Sequence, residues 1–299
     1  MSDVFLHVPA GDHNPYVPVP WARVPLSPFG DEPFRVGVRA AMPFETVEAE
    51  WESATAGGMA HLVREGDDWG GSIGPMAGAG RYRFVGRTSD AEPVHSPWYE
   101  LEVPVWVPVG FEGIDEAGAG LAVRAADIVL RLELEARSLG WRLGPADRPA
   151  NGGRTGTLGG WRFAIEPDGR VSAVDGDLRL DLWVERATVG AETRAWRLHW
   201  ALADDERLLG TGERFDSLDQ RGRKPDMRVY EQYKGQGSRT YFPVPWLIST
   251  RGYGLAVDGA ERNVFDLGAS VADTATLTAP GPTASGRWYV GSPAELLRD

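Results

Sequence analysis

The sequence contains no cysteine, which excludes disulfides and every thiolate metal site and leaves the redox compartment open. Lysine is nearly absent too, occurring only at Lys224 and Lys234; the other basic residues are arginine, a bias that GC-rich coding explains without a binding role. No apolar run approaches the roughly 20 residues needed to span a bilayer. The N-terminus, MSDVFLHVPAGDHNPY, lacks the basic start and apolar core of a signal peptide, so a cytoplasmic location is expected. Positive charge is in deficit as well: a net charge of −12 repels nucleic acids and anionic membranes at long range. Neither is expected as a partner, and a neutral ligand fits better. The five histidines, His7, His13, His61, His95 and His199, show no metal-ligand spacing. No metal or other cofactor is expected.

What is present points to strands. Gly 38 and Pro 22 punctuate short β-branched and aromatic runs, so the fold class read from composition is all-β. The 299 residues, 42% of them hydrophobic, can fill two cores. Residues 1–30 carry Pro9, Pro15, Pro18, Pro20, Pro25 and Pro28 and are expected to form an extended arm, because proline excludes regular helix and central strands. Residues 31–105 read as a small sandwich with strands at Phe34–Arg39, Val47–Trp51, His61–Arg64, Arg81–Arg87 and Trp98–Val103. The aromatics at Trp51, Tyr82 and Phe84 resemble the inward side chains of a fibronectin type III or immunoglobulin-like sandwich. Residues 106–291 hold a second block: Ile128–Leu134, Trp161–Ile165, Val171–Val174, Leu178–Val184 and Trp196–Leu202. Pro167-Asp168-Gly169 reads as a tight hairpin turn. The alternation Trp196-x-Leu198-x-Trp200-x-Leu202 predicts one buried strand face, so most of the 12 tryptophans are assigned to core packing rather than to stacking on sugars.

Several motifs fail on their context. Gly70-Gly71-Ser72-Ile73-Gly74 fits the G-x-S-x-G nucleophile elbow, but Pro75, Gly78 and Gly80 forbid the helix that must follow; a turn is expected there. Gly210-x-Gly212 lacks the third glycine of a dinucleotide loop, Phe215 standing in its place. Glycosidic bond cleavage commonly uses two carboxylates about 5–9.5 Å apart. Glu213, Asp216, Asp219, Asp226 and Glu231 lie among Arg214, Arg221, Arg223, Arg228 and Lys234, so ion pairing is their simpler reading.

Ser292-Pro293-Ala294-Glu295 supplies an N-cap serine, proline in the first turn and glutamate at the third position, which predicts a helix start. An isolated helix of fewer than about 12–15 residues is marginal in water. The stretch 292–299 is therefore expected to open a longer helix, and Asp299 reads as a cut end.

The ordered segments GTGERFDSLDQRG, VYEQYK, TYFPVPWLIS, RGYGLAVD, NVFDLG and WYVGSPAELLRD resemble the N-terminal sandwich of glycoside hydrolase family 31, the α-glucosidases, α-xylosidases and α-glucosyltransferases. The resemblance implies a galactose-mutarotase-like supersandwich over 106–291, packed on a (β/α)8 barrel in the same polypeptide, with one sandwich loop lining the sugar site. In that loop it implies Tyr230, Glu231, Gln232, Tyr233 and Lys234 as substrate-binding residues. Tyr230 and Glu231 stand where the family more often has Trp-Asn. The tyrosines could stack on an α-linked gluco-oligosaccharide and the polar residues could bond its hydroxyls.

The family's two catalytic aspartates sit on barrel strands, one in a Trp-x-Asp-Met context that does not occur here. A barrel needs about 250 residues of alternating strand and helix. No catalytic residue is therefore assigned, and the expected function is that of a non-catalytic N-terminal part of a retaining α-glycosidase, inactive alone. Two alternatives stand beside it: a free carbohydrate-binding module, and a mutarotase or epimerase, which would need a carboxylate beside the strand histidine His199.

Overall fold

The computed structural model describes residues 4–11, 19–89, 92–225, 227–230, 237 and 239–298. Its strands pair antiparallel, and the chain divides into two compact units. The first comprises residues 1–106 with 187–191, and the second 107–186 with 192–299.

In the first unit, two five-stranded sheets enclose one core. Strand Phe34–Ala40 turns Phe34, Val36 and Val38 inward, and strand Gly78–Arg87 turns Tyr82 and Phe84 inward, the period-two pattern of a half-buried strand. The proline-rich N-terminal stretch contributes to this sheet: Phe5–Leu6 and Arg23–Val24 both pair with Phe34–Ala40, and Phe5 enters the core.

Two local expectations are corrected here. His61–Arg64 is not one strand. Gly57–His61 belongs to one sheet and Val63–Glu65 to the other, and between them Leu62 is buried and donates its N–H to Val47 O. The chain changes sheets at that residue. The Gly70 to Gly74 stretch is not a turn; Asp68–Ile73 is a strand paired with Phe34–Ala40 and Val63–Glu65. Its glycines make room for neighbours. A Cβ on Gly70 would lie 2.1 Å from Arg35 Nη2, and one on Gly71 would lie 2.8 Å from Leu62 Cδ2.

His7 fastens the N-terminal stretch. Its Nδ1 lies 2.6 Å from Gly37 O; a carbonyl can only accept, so Nδ1 carries the proton and Nε2 accepts from Tyr82 Oη at 2.8 Å. Desolvation by burial is the main reason that the His7 pKa falls from 6.5 to about 4, and it also pushes the Tyr82 phenol up to about 12. The unfolded chain takes up a proton near pH 6.5 that the folded chain refuses until about pH 4. Stability is therefore full above pH 6.5 and falls on acidification through that window, by up to about 3 kcal/mol. Urea midpoints of the wild type and His7→Gln between pH 7.5 and 4.5 test this, and parallel pH profiles for the two proteins would refute it.

The second unit holds two eight-stranded sheets. One runs in the order Thr155–Leu158, Trp161–Ile165, Val171–Asp175, Leu178–Val189, Glu192–Ala201, Thr274–Pro280, Val264–Leu267, with Val105–Val109 pairing off this path with Leu178–Val189. The other runs Gly113–Ala117, Gly120–Arg124, Ile128–Leu134, Ser138–Pro145, Ala284–Val290, Tyr253–Val257, Trp246–Ser249, Leu208–Gly210. Trp196, Leu198, Trp200 and Leu202 all point into the shared core with Trp141, Phe163 and Trp288. The turn at Gly169 has φ of 82° and closes with Gly169 N–H donating to Glu166 O, as the hairpin reading requires.

The helix forms over Pro293–Leu296. The Glu295 carboxylate accepts from both Ser292 N–H at 2.8 Å and Ser292 Oγ–H at 2.6 Å, and these donors lower its pKa. Among the described residues no helix is long and apolar enough to cross a membrane.

Candidate functional site

The loop from Leu208 to Ser249 starts and finishes on adjacent strands, Leu208–Gly210 and Trp246–Ser249, so its two arms leave the sheet side by side. Three successive residues at its neck have positive φ: Gly210 at 107°, Thr211 at 64° and Gly212 at 91°. The glycines are needed for space as well as for conformation, because a Cβ on Gly212 would lie 2.1 Å from Phe242 O and one on Gly210 would lie 2.5 Å from Trp246 O. Thr211 N–H donates to Trp246 O at 2.7 Å and Glu213 N–H donates to Phe242 O at 3.1 Å. The neck is thus zipped across both arms.

Below the neck sits a buried carboxylate that the sequence did not single out. Glu206 Oε1 accepts from Ser249 Oγ and Tyr253 Oη, both at 2.6 Å, and Oε2 accepts from Ala203 N–H at 3.0 Å. Trp200 Nε1–H donates to Tyr253 Oη at 2.8 Å. Burial, followed by the neighbouring Glu206 carboxylate, drives the Tyr253 phenol well above its usual range.

Of the residues expected to touch sugar, Tyr230 is described, whereas Glu231, Gln232, Tyr233 and Lys234 lie outside the described residues. Tyr230 N–H donates to Thr240 O at 2.9 Å, and Thr240 in turn accepts Phe242 N–H on its hydroxyl at 3.1 Å. The Tyr230 ring is 8% exposed, with the Arg239 guanidinium 4.4 Å from its centroid. In this conformation the ring has little surface to offer a pyranose. Burial of one tyrosine depends on tertiary packing and leaves no mark in the motif.

Two of the other carboxylates considered for chemistry, Asp219 and Asp216, are engaged in holding the loop. Asp219 Oδ1 accepts from Leu208 N–H and Arg221 N–H. Asp216 accepts from Ser217 N–H and from Arg223 Nη1 at 3.0 Å. Glu213 is exposed, and Asp226 lies outside the described residues. His199 does meet a carboxylate, Glu185, at 3.1 Å through Nε2, but Nδ1 lies 2.8 Å from Thr276 Oγ1 and Trp183 stacks on the ring at 5.2 Å. With both nitrogens engaged and one face covered, the ring is committed to neighbours within the sheet. Among the described residues no three His, Cys, Asp or Glu side chains are grouped to hold a metal ion.

A family model described as the glycosyl hydrolase 31 N-terminal galactose mutarotase-like domain matches residues 151–266, which include the loop neck and its root. Residues 151–266 are similar to that domain. The chain is 26% identical over 97% of its length to a 1,3-alpha-isomaltosidase of Kribbella flavida, of which it covers 36%. Over 27% of the chain it is 32% identical to an isomaltosyltransferase of Sporosarcina globispora, covering 7% of that protein. Among solved structures, the cycloalternan-forming enzyme from Listeria monocytogenes in complex with a pentasaccharide substrate superposes at a TM-score of 0.62 with 19% identity. That match covers 97% of this chain and 32% of the enzyme, and it shows a shared fold. The chain spans about a third of the length of these two proteins.

Proposed function

We propose that this chain is the non-catalytic N-terminal part of a retaining α-glycosidase acting on α-linked gluco-oligosaccharides of the isomaltose type. In this reading the mutarotase-like domain packs on a (β/α)8 barrel of the same polypeptide, and the loop beyond Tyr230 forms one wall of the sugar site. The observation that carries the proposal is the alignment of nearly the whole chain with about a third of a 1,3-alpha-isomaltosidase.

Two features of the loop support it. Phe215, Leu218, Val229, Tyr241 and Phe242 are large apolar side chains left exposed on this one loop, a concentration that favours burial against another surface. Asp216, Asp219 and Glu206 hold backbone or pair with arginine, in place of the facing acid and nucleophile that glycoside cleavage requires.

The chain alone is expected to leave nitrophenyl α-glucoside and isomaltose unhydrolysed. In NMR titrations isomaltose is expected to shift only resonances of the 208–249 loop, at millimolar concentrations. Turnover above background that is lost in Glu231→Ala would overturn the non-catalytic assignment. Micromolar binding by the isolated chain would instead favour a free carbohydrate-binding module.

A further inference from the structure

We propose that Thr211 and Arg214 form a positioning pair that sets the stretch leading into the sugar-lining segment, an inference that rests on the function proposed above. Among the described residues Thr211 is the one non-glycine residue with positive φ, and it is fully buried. A β-branched side chain is a genuine outlier in that region, and strain of this kind persists only where the surrounding structure imposes it.

Glycine at 211 would supply the same backbone without strain, as it does on either side. What glycine cannot supply is the hydroxyl, and the hydroxyl is in use. Arg214 Nε donates to both Thr211 O and Thr211 Oγ1 at 3.0 Å, and Nη2 donates to Thr211 O at 2.7 Å. The left-handed backbone brings carbonyl and hydroxyl to the same side, where one guanidinium grips both. Thr211 Oγ1–H is spent on Gly210 O at 2.6 Å, so the hydroxyl can only accept from the arginine.

The same Nη2 also reaches Met227, 3.2 Å from its Sδ. Met227 packs against the main core and lies three residues before Tyr230. A second route runs from the neck through Glu213 N–H to Phe242 O, Phe242 N–H to Thr240 Oγ1, and Tyr230 N–H to Thr240 O. Among the described residues the strained neck and the stretch 227–230 are thus joined by two tethers, of which only the arginine uses the Thr211 hydroxyl. Neither Thr211 nor Arg214 needs to touch sugar; both act through the placement of Tyr230.

Hydrogen exchange on the full chain, with isomaltose titration, separates this role from general stabilisation. Thr211→Gly is expected to keep or raise the thermal midpoint, because it relieves strain, while amides of 227–230 and 239–242 exchange faster. Loss of one hydrogen bond to a charged group corresponds to roughly a tenfold increase. Thr211→Ser, which restores the hydroxyl, is expected to return exchange to the wild-type rate, and Arg214→Ala to reproduce the fast exchange. Unchanged exchange at 227–230 in both Thr211→Gly and Arg214→Ala would overturn the positioning role, whatever sugar does. Fast exchange in those variants with no isomaltose shift in the wild type would leave the positioning pair standing and remove the proposed sugar site. Should Thr211→Gly fail to fold, Arg214→Ala against Arg214→Lys gives the same comparison, because lysine cannot grip carbonyl and hydroxyl together.

Discussion

Glu206→Ala is expected to destabilise the second unit by about 3 kcal/mol or more, because it strands the Ser249 hydroxyl, the Tyr253 hydroxyl and the Ala203 N–H, each costing about 1–3 kcal/mol if buried without a partner. Glu206 is 4% exposed and Ser249 is fully buried, so water reaches these donors poorly. The loss should be local before it is global. Ser249 closes the second arm of the loop and Leu208, two residues beyond Glu206, opens the first, so amides of 208–210 and 246–249 should lose exchange protection first. Glu206→Gln keeps one amide oxygen to accept from the two hydroxyls but turns its NH2, a donor, toward the Ala203 N–H, and should fall between. Urea unfolding with hydrogen exchange checks the series. If the midpoint for Glu206→Ala matches wild type within about 0.5 kcal/mol, the margin expected of ordinary surface substitutions, the buried carboxylate does not hold the root.

Much of the second unit was legible because its strands obey a simple period. Trp196, Leu198, Trp200 and Leu202 alternate in sequence and all reach the core. The capping residues at 292–295 marked a helix start that is present at Pro293. Legibility failed wherever one residue answers to two elements. Leu62 sits where the chain leaves one sheet for the other, and its flanking strands look continuous in sequence because both are short. Gly70 and Gly71 look like turn residues, yet they are strand residues that Arg35 and Leu62 cross.

At the candidate site the sequence identified the loop by resemblance and missed what supports it. Glu206 lies in the run Asp204-Asp205-Glu206-Arg207, which reads as an exposed charged turn. Only the fold reveals that its neighbour Asp205 pairs outward with Arg251 while Glu206 turns inward. Thr211 did carry a signal, a β-branched residue between two glycines. That arrangement points to a left-handed turn only once both arms are seen to pass within hydrogen-bonding distance there.

Arg124→Ala is expected to cost about 3–5 kcal/mol, the range for removing one partner of a buried ion pair. Arg124 is 2% exposed; its Nε donates to Asp115 Oδ2 at 2.9 Å, and its Nη1 donates to Asp147 Oδ1 at 2.6 Å and to Arg148 O at 3.3 Å. Asp147 is exposed and can turn to water, so its loss is small even though Arg124 holds its carboxyl below the ordinary range. Asp115 cannot; it is buried, and without Arg124 the cation left beside it among the described residues is Arg148 at 3.5 Å. The penalty therefore resides in a stranded charge rather than in a lost attraction. Replacing both partners, Arg124→Leu with Asp115→Leu, should then cost far less than Arg124→Ala alone. Urea unfolding of Arg124→Leu, Asp115→Leu and the double variant, treated as a double-mutant cycle, tests this. If the double variant is destabilised by the sum of the singles, the charges act independently and Asp115 is hydrated in the folded chain.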